Sequence, residues 1–144
     1  MFAATEYAEC LMKIVHFMVS SYTQLCVSRI AYLYFKKDQM RAQMVAFMLL
    51  SAHKVEYQMF NDQFAVLFIV MAIQALTIHK STTESAVWLG TALSIKAPAI
   101  LIFPAYFGVV HYSYGLVSLL TTLSIVIGLQ VAVAAPFIFR CLGG

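Results

Sequence analysis

The chain has 144 residues, 62% hydrophobic and 10% charged, with a formal net charge of +3 and a mean hydropathy of +0.86. An average soluble domain is roughly one quarter charged, and a globule of about 150 residues still exposes about 30% of its unfolded surface, so an ordinary soluble domain is excluded and the apolar excess belongs against lipid. The basic residues sit at the ends of apolar runs and not on a face interleaved with aromatics, which excludes a nucleic-acid partner.

In chain order, the N-terminus carries Glu6 and Glu9 ahead of Lys13, the reverse of the basic segment that opens a cleavable leader, so no removable signal is expected. A first span is predicted near 14–35, interrupted by Arg29, and a second, shorter one near 42–60 that contains the polar run from Ser51 onward. Residues 63–79 give 17 uncharged positions for a third span, flanked by Asp62 and Lys80, whose heads can reach the interface. Residues 97–139 hold 43 positions without Asp, Glu, Lys or Arg. A crossing needs about 20 residues, so a fourth span is predicted near 85–107 and a fifth near 116–139, joined by an interfacial loop at 108–115 with a glycine at each end and Tyr112, Tyr114 and His111 between. None of these runs alternates with period two as a barrel strand does, so the expected fold class is all-α, a polytopic transmembrane helical bundle of about five helices. Pro98 and Pro104 make the fourth element the least regular. Lys36, Lys37, Arg41, Lys80 and Arg140 fall on alternate connections, which orients those ends to the cytoplasm and places 53–62 and 108–115 on the opposite side.

Polar residues inside apolar runs are the informative minority, because each carries a desolvation cost. Lys96, in Ser94-Ile95-Lys96-Ala97-Pro98, has 43 uncharged positions behind it. It either faces a cavity and an anionic ligand or snorkels to an interface. Asn61 and Asp62 open the third span, where a helix cap is the plainer reading and a base or a sugar-hydroxyl ligand the sharper one. His16, His53, His79 and His111 lie far apart with no HxxxH or HExxH spacing, and Cys10, Cys26 and Cys141 form no CxxC, so no metal site is expected. No glycine-rich phosphate loop, GxSxG elbow or GxGxxG is present, and no cofactor is expected.

Phe60-Asn61-Asp62, then Trp88-Leu89-Gly90 leading into Ser94-Ile95-Lys96, then Gln130-Val-Ala-Val-Ala-Ala-Pro136-Phe137 resemble, in order and spacing, the middle portion of the dolichyl-phosphate-mannose-dependent α-1,3-mannosyltransferases of the endoplasmic reticulum. The resemblance covers roughly residues 20–140. It implies a multi-pass endoplasmic reticulum membrane enzyme of GT-C type. Such an enzyme takes mannose from dolichyl-phosphate mannose and places it, with inversion, on the lipid-linked Man5GlcNAc2 oligosaccharide in N-glycan precursor assembly. It also implies substrate-binding roles for Asn61, Asp62, Ser94 and Lys96, with Lys96 against the departing lipid phosphate. Gln58 stands where the family commonly has Arg, and Ala97-Pro98 replaces Met-Asn after the lysine. The acidic luminal loop that supplies the family's presumed base precedes the matched region, so the chain is expected to be part of a larger GT-C-like fold, incomplete and inactive alone, with its catalytic base unassigned. The alternatives are a non-catalytic membrane subunit, packed through Gly90 and Ala92 or Gly128 and Ala132, or a small transporter-like protein, for which the inverted repeats are missing.

Overall fold

The computed structural model describes residues 2–51 and 62–142, and every element among them is helical. In order these are α1 (Phe2–Tyr34), α2 (Gln39–Ser51), α3 (Asp62–Gln74) running on into a π turn at Ala75–His79, α4 (Thr82–Ile95), a 3₁₀ segment at Ala97–Ile102, and α5 (Phe103–Leu142). Residues 52–60, part of the predicted second span, lie outside the described residues.

Local chemistry sets the element ends. α1 stops where Lys36 and Lys37 take left-handed backbone, φ 52° and 74°, and the Lys37 N–H bonds back to the Tyr32 carbonyl at 2.9 Å. Asp38 then accepts from the Arg41 N–H at 3.2 Å, an N-cap for α2. The π turn likewise stops on left-handed Lys80, φ 56°; for a residue with a Cβ this conformation costs roughly 1–2 kcal/mol. Ser81 opens α4 by accepting from the Glu84 N–H at 3.2 Å.

Packing is inverted relative to a soluble bundle. Ala42, Ala46, Ala86 and Ala92 are fully buried, whereas Phe17 is 74%, Tyr112 93% and Phe137 75% exposed. Small residues inside let helix backbones approach closely, and large apolar ones outside suit a solvent as apolar as themselves. Two stretches, Tyr7–Tyr34 and Ala97–Arg140, are long and apolar enough to cross a membrane, and only 11% of the most apolar window of each is buried. A soluble core helix of that hydropathy would be mostly buried.

Three contacts fix the register. The Ser85 Oγ donates to the Ala72 carbonyl at 2.7 Å, and the Trp88 ring stacks on Phe68 at 5.6 Å, so α3 and α4 run antiparallel and the last turn of α4 lies level with the first turn of α3. His16 meets Phe64 edge-on at 5.7 Å, at the same end. α5 comes back along α4: Tyr106 meets Ser85, Tyr114 donates to the Leu76 carbonyl at 2.8 Å, and beyond Gly115 the chain returns until Gln130 reaches Gly90 at 2.8 Å.

Two expectations need correction. The stretch 85–107 is not one helix: α4 ends at Ile95, Lys96 is extended at φ −147°, ψ 116°, and the chain reverses through the 3₁₀ segment. Pro98 has no N–H to give the Ser94 carbonyl and disfavours helix at Ala97 before it. The stretch 108–115 is not a loop on the side opposite Lys80. It stays helical up to Gly115, φ 83° and ψ 176°, and through Tyr114 and Leu76 it lies at the Lys80 end. Tyr106, Val110 and Tyr114, four apart, share one helix face, and packing of that face keeps Gly108 helical. The number of membrane crossings therefore does not follow from charge alternation alone.

Candidate functional site

The bundle has two chemically different ends. At one, α3 begins and α4 stops. Asn61 lies outside the described residues, and Asp62 is described only as the first residue of α3. Across from it, Ser94 Oγ donates to the Gly90 carbonyl at 3.0 Å. Gln130 Nε2, from the far arm of α5, donates both to that carbonyl at 2.8 Å and to Ser94 Oγ at 3.1 Å. Gly90 permits this approach, since a Cβ there would stand 2.7 Å from Leu129 Cδ1. Lys96 follows at the helix break, half-buried and engaged with a neighbouring group.

Two side chains at this end, His16 and Gln63, were not among the site residues expected from the sequence. His16 Nδ1 sits 2.9 Å from the Met12 carbonyl; a carbonyl only accepts, so Nδ1 carries a proton, and in that tautomer Nε2 is an acceptor. That Nε2 and the Gln63 Oε1 are buried without a hydrogen-bond partner among the described residues. Two orphan acceptors ask for donors of the kind sugar hydroxyls supply. No spacing rule would have flagged His16, because α1 meets α3 only through tertiary packing. Gln130 was visible within its motif, but its partner was not.

At the other end, Ser85 Oγ is saturated. It donates to the Ala72 carbonyl, so the 2.7 Å contact with Tyr106 must have the phenol as donor. The seam is buried, with Ser85 at 0% and Tyr106 at 5% exposure, and it fastens α3, α4 and α5 without offering anything to a ligand. Nearby, His79 Nδ1 meets Glu84 Oε2 at 2.9 Å. The hydrogen bond from His79 is the main cause holding the Glu84 carboxyl below its ordinary range.

A family model described as ALG3 protein matches residues 4–142. The chain belongs to the ALG3 protein family. It is thereby placed among the membrane-embedded glycosyltransferases of N-glycan assembly. No curated protein and no solved structure matches. The match spans the Asn61–Asp62, Ser94–Lys96 and Gln130–Phe137 segments alike, so the end of the bundle where α3 begins, α4 stops and Gln130 reaches Ser94 is the candidate site.

Proposed function

We propose that this protein is, or forms the middle part of, the α-1,3-mannosyltransferase that moves mannose from dolichyl-phosphate mannose to lipid-linked Man5GlcNAc2 on the luminal side of the endoplasmic reticulum membrane. The observation that carries this reading is the register of α3 against α4. It puts Ser94 and Lys96 at the level where α3 begins at Asp62, with Gln130 tied to the same turn. Lys36, Lys37, Arg41 and Lys80 gather at the opposite end, whereas Arg140, expected on their side, lies ten residues past Gln130 at the candidate end with Lys96; the positive-inside excess still orients the Lys80 end to the cytoplasm, and the candidate site then faces the lumen.

Inverting transfer needs a base for the acceptor hydroxyl and a cation or donor for the leaving phosphate. Lys96 takes the second role, placed at the break between α4 and the 3₁₀ segment. Asn61 and Asp62 orient sugar hydroxyls, and Ser94, held by Gln130, sets the wall beside them. His16 Nε2 and Gln63 Oε1 add acceptors for hydroxyl donors. The base is left unassigned.

The test is complementation in cells lacking the luminal α-1,3-mannosyltransferase, with lipid-linked glycans read by mass. The full-length gene product is expected to convert the five-mannose species to six, and its Lys96→Met variant to insert normally but leave five-mannose glycan unconverted. Normal conversion by Lys96→Met would sink the phosphate role, and no conversion by the unaltered product would sink the assignment.

A further inference from the structure

At the end of the bundle away from the candidate site, α1, the start of α2 and the π turn after α3 enclose an open cleft of about 510 Å³, lined among others by Ser28, Arg29, Tyr32, Gln39, Gln74 and His79. Its volume falls in the range of small-ligand sites. Gln74 is the telling residue. It is 7% exposed, it lines the cleft, and its Oε1 is buried without a hydrogen-bond partner among the described residues. An unsatisfied amide oxygen in a side chain that lines a cleft calls for a donor that the described residues do not supply.

The charge of the surroundings calls for the opposite kind of group. Arg29 forms no salt bridge with any carboxylate of the described residues, and its guanidinium presents donors that match a phosphate in bidentate fashion. Lys36 and Lys37 fill the turn that joins the two helices of the cleft, and Lys80 follows His79 directly. All three hold left-handed backbone, where glycine is the unstrained choice, so this rim carries cations at positions the backbone would give to glycine. Of the acidic groups near it, Asp38 is held by Arg41 at 3.0 Å and Glu84 by His79 at 2.9 Å. Tyr112, on the α5 segment that reaches the same end, is 93% exposed, as suits a residue at a membrane interface.

We infer that this cleft binds the head group of an anionic glycerophospholipid whose alcohol carries free hydroxyls, the phosphate on Arg29 and a hydroxyl donating to Gln74 Oε1. The site lies in the leaflet opposite the sugar chemistry, where basic clefts between membrane helices meet anionic lipid. The inference rests on the orientation proposed above but not on transferase activity.

The test is native mass spectrometry of the full chain released from nanodiscs of phosphatidylcholine doped with phosphatidylinositol, with phosphatidic acid as a phosphate that lacks the hydroxyls. Phosphatidylinositol is expected to stay bound under collision energies that strip phosphatidylcholine. Arg29→Met is expected to weaken it about tenfold, as loss of one charged hydrogen-bonding partner does. Arg29 is exposed, so its loss leaves the packing intact, and Arg29→Lys, which keeps the charge but loses the bidentate pair, is expected to fall between Arg29→Met and the unaltered protein. Gln74→Leu is expected to remove the preference for phosphatidylinositol over phosphatidic acid while both still bind. Equal retention of phosphatidylcholine, unchanged binding in Arg29→Met, or displacement by soluble inositol 1-phosphate at the concentration of the lipid would each overturn the assignment, the last by moving the ligand from bilayer to solution.

Discussion

The two ends of α4 use the same chemistry to different effect. At the start of the helix, Ser85 relays a proton-donor chain from Tyr106 to the Ala72 carbonyl, fully buried and with both partners satisfied. At its last turn, Ser94 shares the Gly90 carbonyl with Gln130 on the rim of a helix break, half in the open and followed by a lysine. A hydroxyl that closes its own hydrogen-bond account inside a bundle fastens helices. One on an open rim, two residues before a lysine and at the bundle end that holds orphan acceptors, is equipped to meet a ligand. The contrast separates residues whose loss should be felt in stability from residues whose loss should be felt in transfer.

The largest effect is expected where the two demands coincide. Gly90→Val would drive a branched side chain into Leu129, already 2.7 Å from the Cβ position, and push the far arm of α5 off α4. Overpacking of this kind costs about 3 kcal/mol, and separating the helices also breaks the Gln130 contact, so a lower unfolding midpoint in detergent and lost mannose transfer are expected together. Full transfer with an unchanged midpoint would show that the close approach is not needed.

Ser85→Ala comes next and acts on stability alone. It strands the Tyr106 hydroxyl at 5% exposure, at a cost of about 2 kcal/mol for a buried donor without a partner. Because the phenol is the donor, adding Tyr106→Phe removes the stranded group, and the double variant is expected to be more stable than Ser85→Ala. A double variant less stable than the single would mean that the relay runs otherwise than the hydrogen bonds indicate.

Gln130→Ala is the mirror case. Its amide donates to a rim carbonyl and to an exposed hydroxyl, so the midpoint should barely move, while transfer by the full-length product falls about tenfold, equal to about 1.4 kcal/mol of transition-state stabilisation. A large loss of stability with normal turnover per folded molecule would assign Gln130 to the fastening side of the comparison.

How far the sequence revealed this division depends on the range of the interactions. Composition and uncharged runs were enough for a helical bundle with lipid-facing surface, and the order of the three motif segments was enough for the family. Pro98 announced an irregular fourth element, and its missing N–H is what ends α4 three residues before it. What the sequence hid was register. His16 and Gln63 enter the candidate site through the packing of α1 on α3, and no local spacing encodes that. The 108–115 stretch misled for the same reason: two glycines and a cluster of tyrosines read as a loop, whereas Tyr106, Val110 and Tyr114 recur every four residues and pack one helix face against α3 and α4. That periodicity was present in the sequence, but it competed with a stronger local turn signal.

The smallest expected effect lies at the basic end, in the connection between α3 and α4. Glu84 accepts from His79 at 2.9 Å and, more weakly, from the Trp88 indole at 3.5 Å, so its carboxyl lies below the ordinary value of 4.5. A depressed carboxyl contributes stability above the unfolded-state pKa and loses it as pH falls through the folded one. Glu84 is therefore expected to add nothing to the pH dependence between 5 and 7, and to steepen the decline of the unfolding midpoint below 4.5. Both side chains are substantially exposed, 47% and 40%, so solvent screening keeps the effect small. Glu84→Gln should flatten the acid limb and leave transfer unchanged, since the group sits at the end of α4 that fastens. A flat acid limb in the unaltered protein would overturn the stabilising role of the His79 bond, and lost transfer in the variant would show that this end is coupled to the chemistry at the other.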